Sequence, residues 1–307
     1  MFSACNADRW ANLETSEISY MNPPVMDLQA FLQGFPTVRP SGSVAIDTLL
    51  SAAALNMSHV RNRVLRQGDG TLRHVLFPMQ HFQADTAGSA NAQLLRAIYT
   101  NYGQEYLKKD PNSMTLWHSM CISLTANLDL FEIAAGREGN VAAKAALQKI
   151  LQWTDSPYAR RACLHAAQAF ACMLKRKITD GTRFMSEIAI FHSALVLGLY
   201  IYASPPSLDQ GDDRPLELLD EVDWNRVADE GLPGWTSSNL DNEYPPNKFI
   251  NRGGSISFDG MVLSGGWGSA RRIIMFYSGL LDQTGRWNWR KFRQILHLMS
   301  DSMVELT

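Results

Sequence analysis

The side chains with the widest chemical repertoire in this chain are its seven histidines and four cysteines, and their spacing gives them little to do together. His59, His74, His81, His118, His165, His192 and His297 include no i,i+4 pair and no H-E-x-x-H frame, the helical spacing that lets two imidazoles grip one zinc ion. Cys5, Cys121, Cys163 and Cys172 include no C-x-x-C pair, so no local tetrahedral zinc site is expected and no stoichiometric zinc. In HVLFPMQH, His74 and His81 stand seven apart on what reads as a loop, a weak basis for a metal site. His118, His165 and His192 fall on predicted helices with no acid or nucleophile placed beside them by the sequence, and hydrogen-bonded interface histidines are the expectation.

The carboxylates Asp209, Asp212, Asp213, Glu217, Asp220, Glu221 and Asp223 raise a different chemistry, because all-α prenyl-diphosphate enzymes hold magnesium on aspartates that project from helices. Here Pro215 interrupts the acids in DDRPLE, and an Asp-rich loop does not fix ligands on one side of a cavity, so a solvated acidic loop is expected. GGWGSARR, Gly265 to Arg272, puts glycines ahead of a helix start, where free N–H groups can cradle an anion; without a Walker or G-x-G-x-x-G frame it reads as helix initiation. In RWNWRKFRQILH the cations Arg286, Arg290, Lys291 and Arg293 interleave with Trp287, Trp289 and Phe292, a pattern found in nucleic-acid contact. The spacing Trp289, Phe292, Leu296 reads instead as a core stripe with a charged outer face. No catalytic, cofactor-binding or metal-binding residue is assigned, no cofactor is expected, and the chain is not read as an enzyme.

The elements that would position these side chains are helices. Residues 1–42, punctuated by Pro23, Pro24, Pro36 and Pro40, read as an extended N-terminal segment with a short helix near Met26 to Leu32. Residues 43–307 read as one large helical domain. Ile46, Leu50, Ala53, Met57, Val60 and Val64 recur at steps of four and three, giving a helix from Ser43 to about Gln67. A second helix is expected from Ala90 to Lys109, ended by Pro111, and a third capped by Asn112 or Ser113, with Trp117, Met120, Cys121, Leu124, Leu128 and Phe131 inward and Gly136 as its stop. Asn140 to Trp153 follows. Ser156-Pro157 then starts a helix whose inner face is Ala162, Cys163, Ala166, Ala167 and Phe170, small enough for another helix to approach closely. Lys175, Arg176 and Lys177 close it, complementing the helix dipole. The helix Phe184 to Tyr202 is apolar on every face, which a helix tolerates only when surrounded. Its run Ile188 to Ala203 is slightly short for a bilayer and reads as buried in protein. Long loops are expected near 204–215 and 231–268, with a short helix around Leu216 to Val227 between them. Two final helices run from Ala270 to Asp282 and from Trp289 to about Glu305 around a turn at Gly285. No alternating strands stand out, so the fold class is all-α, a large single-core helical domain.

The wording of the central segments is distinctive. TLWHSMCISLTANLDLFEIAAGREG, SPYARRACLHAAQAFACMLKRKITDG and FHSALVLGLYIYA, with ARRIIMFYSGLLDQTGRWNWRKFRQILHLMSD near the end, resemble the regulatory domain of fungal-specific transcription factors. That resemblance implies a nuclear regulator of RNA polymerase II transcription in a fungus, with this domain as an all-helical interaction module. Control of a biosynthetic gene cluster is within its range. In that family DNA contact belongs to a preceding six-cysteine binuclear zinc cluster or to two-Cys, two-His fingers, and no residue of this chain matches either.

Bulk composition agrees with a folded protein: 46% hydrophobic and 19% charged residues, with no like-charge block. With 28 Lys+Arg against 30 Asp+Glu the net charge is −2, without the basic excess that phosphate binding exploits. Weak, sequence-independent DNA binding is therefore expected. The expected partners are proteins, a zinc-cluster DNA-binding protein or a second copy of the chain, and the exposed ends of the domain, 209–223 and 231–268, are where contact is expected. Dispersed cysteines fit a reducing compartment, and MFSACNADRW shows no signal peptide. The alternatives to a nuclear regulator are a metal-dependent all-α enzyme of the prenyl-diphosphate type and a helical scaffold unrelated to transcription.

Overall fold

A computed structural model of the chain describes residues 43–65, 75–84, 86–105, 107–204, 214–227, 243–283 and 289–302. The expectations for 1–42, for His74, for the acids Asp209 to Asp213, for 228–242 and for the Gly285 turn lie outside the described residues. Within them the fold is all-α, with eleven α-helices and one small three-stranded sheet.

The centre is a three-helix stack made from the segments that carry the resemblance. Helix α4 (Pro111–Thr125) starts where Asp110, in extended conformation, accepts the Asn112 N–H at 3.0 Å and Pro111 fills the first helical position. Proline there removes only an N–H that has no helical partner. The cap is therefore Asp110, not Asn112 or Ser113; the Ser113 hydroxyl donates to Asp110 at 2.6 Å, while Asn112 receives the Arg183 N–H at 3.0 Å. Helix α7 (Pro157–Leu174) begins as its sequence specifies, the Ser156 hydroxyl accepting the Ala159 N–H at 3.1 Å. Its alanine face is fully buried and lies directly on α4 and on α8 (Phe184–Ala203).

Helix α8 is the innermost element: Ala194 to Leu197 and Leu199 have no measurable exposure. Among the described residues it is the one helix long and apolar enough to cross a membrane, but 78% of its apolar window is buried inside this chain. Helix α10 (Trp267–Asp282) covers its outer side, and Gly198 allows the contact: a Cβ there would sit 2.7 Å from Ile274 Cγ1. Helix α11 (Trp289–Ser302) backs α10, with Phe292 against Phe191 at 4.7 Å between ring centroids. On the other side of α4 lie α1 (Ser43–Leu65), α2 (Pro78–Ala84) and α3 (Thr86–Tyr102).

Several boundaries differ from the sequence expectation. The helix expected from Ala90 to Lys109 starts at Thr86 and stops at Tyr102, with a single 3-10 turn at Leu107–Lys109. The helix expected to run through Phe131 divides into α4 and α5 (Leu128–Ala134). Ala126 is extended there, and the Asn127 side chain donates to the Val75 carbonyl at 2.9 Å, so a buried polar bond turns the chain. Helix α6 (Asn140–Thr154) packs back on α5 and sends the Trp153 indole N–H to the Thr125 carbonyl at 2.9 Å.

No helix forms around Leu216 to Val227. Leu216–Glu217 is instead strand β1, parallel to β2 (Ile256–Phe258), which is antiparallel to β3 (Met261–Leu263). The reason lies in the groups that claim this backbone. The Gln168 amide of α7 donates to the carbonyls of Leu218 (2.8 Å) and Asp220 (2.7 Å), and the Tyr244 hydroxyl accepts the Asp223 N–H at 2.8 Å, satisfying groups that a helix would pair internally. The loop expected over 231–268 likewise contains α9 (Pro245–Arg252) and the β2–β3 hairpin. Asp259 (φ 52°) and Gly260 (φ 74°) form that hairpin's two-residue turn, both left-handed as the twist of the strands demands.

Candidate functional site

Two features stand apart from ordinary apolar packing: a buried polar centre between α4 and α7, and an apolar groove at the molecular surface beside α10.

In the polar centre the Nδ1 atoms of His118 and His165 lie 3.0 Å apart, with both rings buried. A contact that short between ring nitrogens needs one proton between them. His118 Nε2 is also buried and has no hydrogen-bond partner within the chain. Leaving a bare acceptor unpaired costs less than leaving an N–H so, and His118 is therefore the donor through Nδ1–H while His165 keeps its proton on Nε2. Trp224 stacks on His165 at 3.7 Å and 8° between planes, and Trp117 meets both imidazoles edge-on. Burial holds His118 down at about 3, and burial with the His118 and Arg161 charges holds His165 well below its usual value. Both rings are therefore neutral over the physiological range. A base of that strength removes few protons near neutrality, and the adjoining cavity, about 50 Å³ between Tyr99, Trp117, Cys121, His165 and Trp224, suits a few waters rather than a substrate.

His192 has an acid beside it that sequence spacing did not show: its Nε2 lies 2.7 Å from Glu132 Oε1 across the α5–α8 contact. Glu132 and Asp129 also accept from Arg137, and Arg61 donates to Asn127 at 3.3 Å nearby. Burial raises the Glu132 pKa, but the His192 hydrogen bond and the positive charges of His192 and Arg137 outweigh it and leave the carboxyl below its usual value. The charges close on one another.

Several of the remaining singled-out residues have structural partners. Glu217 accepts the N–H groups of Leu219, Asp259 and Gly260 and the Ser257 hydroxyl, tying β1 to the hairpin turn. Glu221 pairs with Lys108, and Asp223 accepts the Asn225 N–H at 3.1 Å. Among the described residues no group of three His, Cys, Asp or Glu side chains is placed to hold a metal ion. In the glycine-rich stretch Gly266 (φ 97°) precedes α10 and donates its N–H to the Ile201 carbonyl at 2.8 Å, while Arg271 pairs with Asp301 at 3.2 Å. In α11, Arg293 pairs with Asp282 at 2.6 Å and Phe292, Leu296 and Met299 face inward. His81 is exposed on α2, and Cys121 and Cys163 are buried thiols outside any disulfide, the latter raised well above its usual pKa by burial.

The groove is the feature that sequence reading missed. Phe170, Leu174, Phe258, Met275, Phe276 and Leu280 surround about 240 Å³ of open space between the end of α7, the hairpin and α10. Phe170 and Phe258, 5.2 Å apart, form its floor, while Leu174, Met275 and Phe276 remain 55%, 40% and 39% exposed. Its sequence signal is a surplus: Met275 and Phe276 stand off the buried stripe Ile273, Ile274, Tyr277 and Leu281, making α10 apolar over more of its circumference than one core contact uses. Clustered large apolar side chains at the surface are a mark of contact sites. No protein-family model, curated protein or solved structure matches the chain.

Proposed function

We propose that this chain is a fungal regulator of RNA polymerase II transcription that works in the nucleus as a helical protein-interaction module and leaves DNA recognition to a zinc-bearing partner. Two lines support the reading. The segments resembling fungal transcription factor regulatory domains are those that build the α4–α7–α8 stack, so the resemblance falls on one coherent packing unit. The observation that carries the interaction role is the apolar groove between α7, α10 and the hairpin, with three large side chains offered to solvent in one place. Its shape and chemistry fit the apolar face of a partner helix.

The test is tethering. The full chain is fused to an unrelated DNA-binding domain and expressed in a fungal host with a reporter carrying the cognate sites. A severalfold change in reporter output, up or down, is expected, and it is expected to vanish with Leu174→Asp plus Met275→Asp. Unaltered output from a fusion shown to be nuclear and folded overturns the proposal.

A further inference from the structure

Trp224 is buried, yet its indole N–H has no hydrogen-bond partner within the described chain. The other buried indoles among the described residues do have one: Trp117 donates to the Leu95 carbonyl at 2.8 Å and Trp153 to the Thr125 carbonyl at 2.9 Å. A buried indole N–H without an acceptor is unfavourable, because the hydration it loses on burial is not replaced. Trp224 lines the cavity of about 50 Å³ beside the imidazole pair, and the same need recurs around that space. Tyr99, also buried, carries a hydroxyl that the Trp224 backbone N–H faces and that has no acceptor for its own proton. His165 is hydrogen-bonded through Nδ1 alone, to His118, so its Nε2–H is a third donor without an acceptor among the described residues. Three unmet donors, from α3, α7 and the segment after β1, thus border one cavity.

Charge and shape narrow what could answer them. Arg96 of α3 and Arg161 of α7, both half-buried, line the cavity as well, and no Asp or Glu is among the described residues that line it. The Arg161 charge reaches His165, where it adds to the lowering of the pKa that burial causes. Negative charge from Glu221 and Asp223 reaches Tyr99 from outside the cavity, but Lys108 holds the first and the Asn225 N–H the second. Two lining cations against that background suit one negative charge better than two. Met79, Ala92, Leu95 and Leu124 supply apolar wall. A space that holds a few waters also holds a planar group of three or four heavy atoms. A carboxylate with a methyl group has the matching halves, two oxygens for the donors and a carbon for the wall, whereas a tetrahedral dianion has no apolar side to offer.

We propose that this cavity binds a short aliphatic carboxylate of acetate size, its oxygens taken by Trp224 Nε1–H, the Tyr99 hydroxyl and His165 Nε2–H and its charge balanced by Arg96 and Arg161. An occupied cavity ties the segment 218–227 to α3 and α7. The site shares no residue with the groove beside α10, so it goes beyond the interaction role and does not depend on it.

The test is saturation-transfer NMR on the acetate methyl with the full chain, at fixed ionic strength in chloride. Saturable binding is expected, with a dissociation constant between about 0.1 and 10 mM, the range that four heavy atoms can reach. Acetamide, the same shape without the charge, is expected to bind more weakly by about tenfold or more, and sulfate is expected not to displace acetate. Trp224→Phe and Tyr99→Phe each remove one donor while keeping an aromatic ring, and each is expected to weaken acetate binding by roughly tenfold or more. Tyr99→Phe also removes an unpartnered buried hydroxyl, so without acetate it is expected to melt no lower than the parent, which separates lost binding from lost folding. Acetate that binds no better than acetamide, sulfate that displaces it, or affinity unchanged in either variant each overturn the proposal, the first by meaning that the cavity takes water alone.

Discussion

Two imidazoles that share one proton inside a helical interface make the folded chain sensitive to acid. For both His118 and His165 the folded-state pKa is depressed, so protons bind the unfolded chain more tightly than the folded one. The stabilising difference is complete above about pH 6.5, the ordinary histidine value, and is lost as the pH falls below it, for His118 down to about 3. Each histidine is expected to remove about 1.4 kcal/mol per pH unit below that value, so the two together dominate the decline until carboxylates begin to titrate near pH 4.5. Urea unfolding between pH 7.5 and 5 measures the slope directly. His118→Gln is expected to lower stability at neutral pH and to flatten that slope; a slope equal to the parent's would mean that the pair is solvated. At the same scale, the sequence identifies His118, His165 and His192 as interface residues, and so they are. It carries no hint that Glu132 faces His192, because a pairing between residues on different helices depends on how α5 crosses α8 and leaves no trace in local spacing.

Helix crossings set the next scale, and two glycines on it behave oppositely. Gly198 lies where α8 meets α10, and Gly198→Ala forces Ile274 to move from 2.7 Å, a change expected to cost about 1–3 kcal/mol. Gly279→Ala meets open space and is expected to stabilise the chain by about 0.5–1 kcal/mol. Thermal melts of the two variants, run side by side, check the pair. Leu195→Asp puts a carboxylate into the fully buried middle of α8 and is expected to abolish soluble expression; a variant that melts like the parent would mean α8 is not central. Most helices are legible because their periodicity and caps are local, as with Ser156-Pro157 ahead of α7. The failures cluster where tertiary bonds take over the backbone. Gln168 turns the expected helix at 216–227 into a strand and a loop, and Asn127 breaks the helix expected to continue through Phe131. The β2–β3 hairpin has a local signal that the expectation of a loop passes over: Asp259-Gly260 between two short apolar runs is a strong turn pattern, masked by the glycines and prolines around it.

At the scale of the whole molecule, the groove and the core make separate claims on the same helices. Leu174 and Met275 contribute exposed surface to the one and little to the other, so Leu174→Asp with Met275→Asp is expected to shift stability by no more than about 0.5 kcal/mol per site while removing reporter output from a tethered fusion. Differential scanning calorimetry beside the reporter assay separates the two. A large fall in melting temperature would mean that the groove is part of the core rather than a contact face.

The position of α8 has a consequence for how the protein is made. Its heaviest coverage on one side comes from α10, which ends about eighty residues later in the chain, at Asp282. At roughly 5–20 residues per second, a ribosome needs on the order of 4–16 seconds to supply that cover. Between the emergence of α8 and the emergence of α10 the most apolar segment of the protein therefore has one flank bare. The nascent chain is therefore expected to carry an open apolar flank for a defined window, which slower elongation between the emergence of α8 and the completion of α10 lengthens without changing a single residue of the product.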